Sequence, residues 1–174
     1  MGCGGDRGAA SGQGSDAMKL TSSAFGHNQP IPRQYSEEGA SSSPPLQWSG
    51  LPDAVRQLAL ICDDPDAPQE EPWVHWVLYG LSPSVTSLPQ ALPRVARLTE
   101  PAGALQGQNS WPSDNIGYRG PYPPRGHGTH HYHFKLYALD KELELQAGAD
   151  KAALLAAMKG HILAEAELIG TYER

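Results

Sequence analysis

A loop rich in proline and glycine runs directly into an alternating strand over Gly120–Leu139 (GPYPPRGHGTHHYHFKLYAL), and this junction constrains the fold more than any other part of the chain. Proline fixes φ and has no N–H to donate, whereas glycine reaches conformations that other residues avoid and leaves its N–H uncovered. Such a loop keeps its shape without a ligand and aims bare backbone donors into a cavity. In the strand, alternation places His130, Tyr132, Phe134 and Leu136 on one face and His131, His133 and Lys135 on the other. An imidazole and a phenol then stand at the mouth of an apolar wall, which is the layout of a small pocket with polar tips.

Two further segments join this one. Leu58–Cys62 is a short continuous apolar run, the pattern of a buried strand, and it ends in Asp63-Asp64-Pro65-Asp66-Ala67-Pro68. There the prolines stop the strand and stiffen the turn, and aspartates accept hydrogen bonds from nearby backbone N–H groups. Trp73–Gly80 is again strand-like, and alternation puts Trp73, His75, Val77 and Tyr79 on one face.

Three motifs in this order resemble the phosphatidylethanolamine-binding protein family, which includes the Raf kinase inhibitor protein. They are Asp64-Pro-Asp66-Ala-Pro68, Trp73-Val-His75-Trp76, and Gly120-Pro-Tyr-Pro-Pro124 with Gly126-x-Gly128-x-His130-x-Tyr132. The resemblance runs from about Lys19 to Tyr172. Gly107-Gln-Asn-Ser-Trp111 and the stretch Gly160–Tyr172 are similar to the compact bacterial and archaeal branch, although Tyr122 stands where many relatives carry a small residue. The resemblance implies an all-β domain, two packed antiparallel sheets with one or two C-terminal helices. It implies that Asp64, His75, His130 and Tyr132 line a cavity accepting a phosphate-like group, with Gly120 and neighbouring loop N–H groups as donors. Pro68, Trp73 and Pro121, with Pro123 and Pro124, are then walls, and Asp66 either joins the site or caps its turn. In that reading Asp64 orients or charges a histidine, or accepts from the amine of an ethanolamine head group.

Composition is consistent with this picture. A chain of 174 residues forms one domain that buries roughly two-thirds of the surface its unfolded form exposes. Its 19 glycines and 16 prolines suit many short strands better than long helices. A net charge of -6 without any basic run argues against a nucleic-acid surface. No apolar stretch approaches the ~20 residues needed to insert across a bilayer. The segment Met1–Ala17, rich in Gly, Ser and Ala, lacks the apolar centre of a secretory signal and is expected to be a disordered arm, with Met18–Arg174 as a single domain. Cys3 and Cys62 give no disulfide framework, so a reducing cytoplasm is the expected location.

Other elements follow from local pattern. Lys19–Phe25 reads as a first strand. Asp150 offers an N-cap, and Leu154, Leu155, Met158, Ile162 and Ile169 form one helical stripe, predicting a helix over Lys151–Ile169 that Gly170 stops. The histidines at 127, 130, 131 and 133 tempt a zinc assignment with Asp64 or Asp66, but alternate strand residues point apart, and no helical His-Glu-x-x-His or paired-cysteine motif is present. No metal or other cofactor is therefore expected. Ser110 and Thr129 lie near histidines, yet no Gly-x-Ser-x-Gly elbow occurs, so the chain is not expected to be an enzyme. The function that results is binding of a small anionic or phosphorylated head group; modulation of a protein kinase or protease and formation of a homodimer are further expectations that the resemblance implies. The alternatives are a hydrolase using the Asp/His pair and an interaction protein whose pocket is vestigial.

Overall fold

The computed structural model describes residues 17–174; apart from Ala17, the arm expected at Met1–Ala17 lies outside the described residues. Two sheets form the fold. The smaller joins β1 (Lys19–Thr21), β3 (Leu46–Ser49) and β6 (Ser87–Leu88) in the order β1-β3-β6. The larger joins β2 (Gln29–Pro30), β4 (Gln57–Asp64), β5 (Trp73–Leu81), β7 (Leu105–Gln106), β8 (His130–Leu139) and β9 (Ile162–Tyr172), in the order β2-β9-β8-β4-β5-β7. Every pairing is antiparallel except the short contact of β2 with β9.

Burial follows from the alternation. On the inner face of the large sheet, Leu58, Leu60, Cys62, Phe134, Leu136 and Leu168 pack with Leu20, Leu46, Trp48 and Leu88 of the small sheet. The outer face carries a second cluster, Ala59, Ile61, Val77, Tyr79, Tyr137 and Leu139, covered by Leu154 and Met158 of α1 (Lys151–Met158). Asp150 caps α1, its carboxylate accepting from the Ala153 N–H at 2.8 Å.

The helix is shorter than its apolar stripe predicts. It ends at Met158, and Ile162–Tyr172 is the strand β9. Gly160, with φ of +81°, turns the chain where a helix would have continued. Beyond it the effective period is two: Ala166, Leu168 and Gly170 are buried, while Glu165 and Glu167 are exposed. Gly170 is therefore no helix stop. It sits in the sheet where Ile31 and Phe25 press against its backbone, and a Cβ there would overlap both. Leu155 and Ile162, assigned to the buried stripe by helical spacing, are exposed. The first strand is also shorter than expected, ending at Thr21.

One irregularity shapes the site. Cys62 pairs with Trp76 while the next residue, Asp63, pairs with Val74, so β5 carries one extra residue, His75, opposite β4. This bulge resets the alternation of β5. The single face predicted for Trp73, His75, Val77 and Tyr79 is accordingly split. Trp73 and His75 face the inner side, where Trp76 and Leu78 continue, whereas Val77 and Tyr79 point out beneath α1.

Candidate functional site

At one end of the inner face, the strand ends of β4, β5 and β8 and the loop before β8 enclose a cavity of about 250 Å³. This is below the range of most drug-sized pockets.

Its floor begins with the aspartate pair that ends β4. Neighbouring strand residues point to opposite faces, so Asp63 turns outward to a 2.6 Å ion pair with Lys151, while Asp64 turns inward to the cavity. One carboxylate oxygen of Asp64 accepts the Asp66 backbone N–H at 2.9 Å, and the other lies 2.6 Å from Nδ1 of His130. Both side chains are almost wholly buried. The other ring nitrogen of His130, Nε2, lies 2.7 Å from Nδ1 of His127, an exposed residue between Gly126 and Gly128. Asp64, His130 and His127 thus form one hydrogen-bonded line from the interior to the rim.

His75 stands across the floor. Its Nδ1 lies 2.6 Å from the Arg119 carbonyl, which can only accept, so Nδ1 carries the hydrogen. Burial depresses its pKa to about 4, against the opposing effects of the bond to Arg119 and the charges of Asp64, Asp63 and Glu37. The ring is neutral at physiological pH. Tyr132 meets it edge to face at 5.0 Å. Burial, followed by the Asp64 charge, pushes the Tyr132 phenol well above its ordinary value, so its hydroxyl keeps its proton. Among the described residues neither the Tyr132 hydroxyl nor Nε2 of His75 has a protein partner, and neither belongs to the enclosed orphan atoms, of which Arg174 Nε alone is found. Both open into the cavity they line.

Aromatic and proline side chains make the walls. Trp73 and Trp111 meet at 5.4 Å, and Trp111 meets His75 at 5.0 Å, both edge to face. Pro68 stands on one side, and Tyr122, Pro123 and Pro124 on the other. The loop is pinned from behind. Tyr118 donates to the Tyr35 carbonyl at 2.6 Å, the Gly120 N–H to the Ser41 hydroxyl at 2.8 Å, and the Glu37 N–H to the Pro121 carbonyl at 3.0 Å. Gly120 packs so closely on the Tyr35 carbonyl that no Cβ would fit. Arg174 holds the rim, its guanidinium 3.7 Å over the Tyr122 ring.

Eight of the residues singled out in the sequence, Asp64, Pro68, Trp73, His75, Pro123, Pro124, His130 and Tyr132, come together around the cavity. Asp66, Gly120 and Pro121 lie outside its lining. Asp66 instead accepts from the His131 backbone N–H at 2.8 Å and lies 2.7 Å from its Nδ1, and the Gly120 donor is taken by Ser41. Arg119, which flanks the loop, is committed to Glu37 through two hydrogen bonds of 3.1 and 2.9 Å. His131 and His133 turn away from His130, as alternation requires. Sequence reasoning missed Trp111 as a wall, since it lies in an irregular segment without periodicity. The junction of His127 with His130 was equally invisible, because a loop between two glycines has no predictable direction.

Comparison with known proteins agrees with this architecture. The family model described as phosphatidylethanolamine-binding protein matches residues 21–173. The chain belongs to the phosphatidylethanolamine-binding protein family. A Methanothermobacter thermautotrophicus relative, named only as a UPF0098 protein, is 48% identical over 157 residues, which cover 90% of this chain and 99% of the relative. A Pyrococcus horikoshii UPF0098 protein is 46% identical, covering 94% of this chain and 81% of its own length. Among solved structures, a Chlamydia trachomatis family homologue is 44% identical with a TM-score of 0.80, covering 92% of this chain and 99% of the homologue. The Escherichia coli family member YbcL is 30% identical with a TM-score of 0.82, covering 90% of this chain and 98% of YbcL. No helix among the described residues is long and apolar enough to cross a membrane.

Proposed function

We propose that the cavity binds a small phosphorylated head group, and that binding rather than catalysis is its role. The observation that carries this reading is the convergence of three polar groups on one small floor: the Asp64–His130 pair, the unpartnered Tyr132 hydroxyl and the unpartnered Nε2 of His75. Two polar atoms that open onto one cavity without a partner among the described residues can both be satisfied by a single ligand. Trp73, Trp111 and Pro68 make walls that exclude water without reacting. Among the described residues no serine, threonine, cysteine or lysine lines the cavity, which favours binding over nucleophilic catalysis by the Asp/His pair.

Calorimetric titration with O-phosphoethanolamine tests the reading. Saturable binding is expected, weakened roughly 5- to 150-fold by His130→Ala, the equivalent of about 1–3 kcal/mol for stranding a buried polar partner. Unchanged affinity in that variant would place the ligand elsewhere.

A further inference from the structure

The floor of the cavity is richer in hydrogen-bond acceptors than an anion site should be. Nδ1 of His75 is committed as a donor to the Arg119 carbonyl at 2.6 Å, and the ring is neutral, so Nε2 offers a lone pair to the cavity. The Asp64 carboxylate, which also lines the floor, is an acceptor with a formal negative charge. Among the described residues no lysine or arginine lines the cavity, and the nearby Arg119 guanidinium is spent on Glu37. Nε2 of His130 already shares a hydrogen with His127. The Tyr132 hydroxyl is therefore balanced against two acceptors.

A phosphate dianion brings only acceptors. Placed here it would oppose the Asp64 charge and leave Nε2 of His75 facing another lone pair. A singly protonated phosphate monoester brings the missing hydrogen: its P–OH donates to Nε2 of His75, and an anionic oxygen accepts from the Tyr132 hydroxyl. A phosphodiester carries the same single charge but has no P–OH. We propose that the site selects the monoanionic acid form of a phosphate monoester, recognised through a P–OH donated to His75, over both the dianion and phosphodiesters. This rests on the head-group reading above and names the ionic form of its ligand.

The groups facing His75 set the context for any pH dependence. Asp64 and Asp63 lie at the end of β4, His130 and Tyr132 on β8, and Glu37 and the Arg119 carbonyl behind the ring. A protein group titrating among these would produce a break at one fixed pH. Selection of the ligand's acid form produces a break that follows the ligand.

The experiment is a calorimetric series from pH 5 to 8.5 with methyl phosphate, a phosphonate of higher second pKa, a fluorinated phosphonate of lower second pKa, and dimethyl phosphate. Phosphate monoesters lose their second proton near pH ~6. Affinity for each monoester or phosphonate is expected to be level below its own second pKa and to fall about tenfold per pH unit above it, which is the slope of one bound proton. Dimethyl phosphate should bind at least tenfold more weakly at pH 5. His75→Asn, which keeps an amide N–H near the Nδ1 position but has no counterpart to Nε2, should lose the preference for methyl phosphate over dimethyl phosphate. Affinity that rises through the ligand's pKa would overturn the proposal, as would one common break for all ligands or equal binding of dimethyl phosphate. Absence of binding by every ligand at every pH would remove the head-group reading itself, and this proposal with it.

Discussion

Asp64 and His130 come within 2.6 Å of each other although 66 residues separate them, and antiparallel pairing alone sets up their meeting. β4 and β8 run side by side with Asp63 opposite His133, so the residues just beyond that pair are carried together at the sheet end. The strand alternation that sends Asp63 out to Lys151 sends Asp64 in to His130. A one-residue slip of β4 would exchange the two aspartates, turning Asp64 out to the α1 side and Asp63 in towards His130.

Tyr132→Phe separates the role of the hydroxyl from that of the ring. The ring packs edge to face with His75, while the hydroxyl has no protein partner. Stability by urea denaturation should change by less than about 0.5 kcal/mol, because no internal hydrogen bond is lost. Affinity for phosphoethanolamine should drop roughly 2- to 13-fold, matching about 0.5–1.5 kcal/mol for one hydrogen bond. A large stability loss would mean that the hydroxyl serves the fold.

His75 should make the protein acid-sensitive. Its pKa falls from 6.5 to about 4 on folding, so between these values the unfolded chain binds a proton that the folded one excludes. Stability therefore declines as pH drops from 6.5 and the loss levels off below about 4, summing to on the order of 3 kcal/mol. Urea midpoints taken across this range for the wild type and His75→Asn check it. The variant should have a visibly shallower slope, and equal slopes would show that other groups carry the acid response.

Much of this site was legible in the sequence because two-residue alternation is a strong rule. It placed His130 and Tyr132 together and His131 and His133 apart. The reading failed where a single residue resets the period. The bulge at His75 split a face that alternation had drawn as continuous, and Gly160 ended a helix whose apolar spacing fitted period 3.6 over Lys151–Ile169. In Ile162–Ile169 apolar residues are dense enough to satisfy both periods, and only pairing with β8 decides between them. Loop residues were less readable still. Gly120 was expected to offer its N–H to a ligand, and nothing local showed that Ser41, far away in sequence, would take it.

The corrected helix makes its own prediction. Met158 is fully buried beneath the outer face of the sheet, whereas Leu155 is 40% exposed. Met158→Ala should cost ~2–5 kcal/mol in a denaturant titration, the range for emptying a core site. Leu155→Ala should cost about 0.5 kcal/mol or less, as surface substitutions do. Equal costs would mean that the helix docks through a different face.

The most direct test of the account follows the imidazoles themselves. With histidine side chains isotopically labelled, the ring resonances of His75 and His130 are recorded by NMR while O-phosphoethanolamine is added to millimolar concentration. Both rings line the cavity, and His131 and His133 lie on the opposite face as internal controls. Saturable shifts of His75 and His130 with a common midpoint are expected, while the signals of His131 and His133 stay still. Motionless His75 and His130 signals at millimolar ligand would contradict the head-group reading.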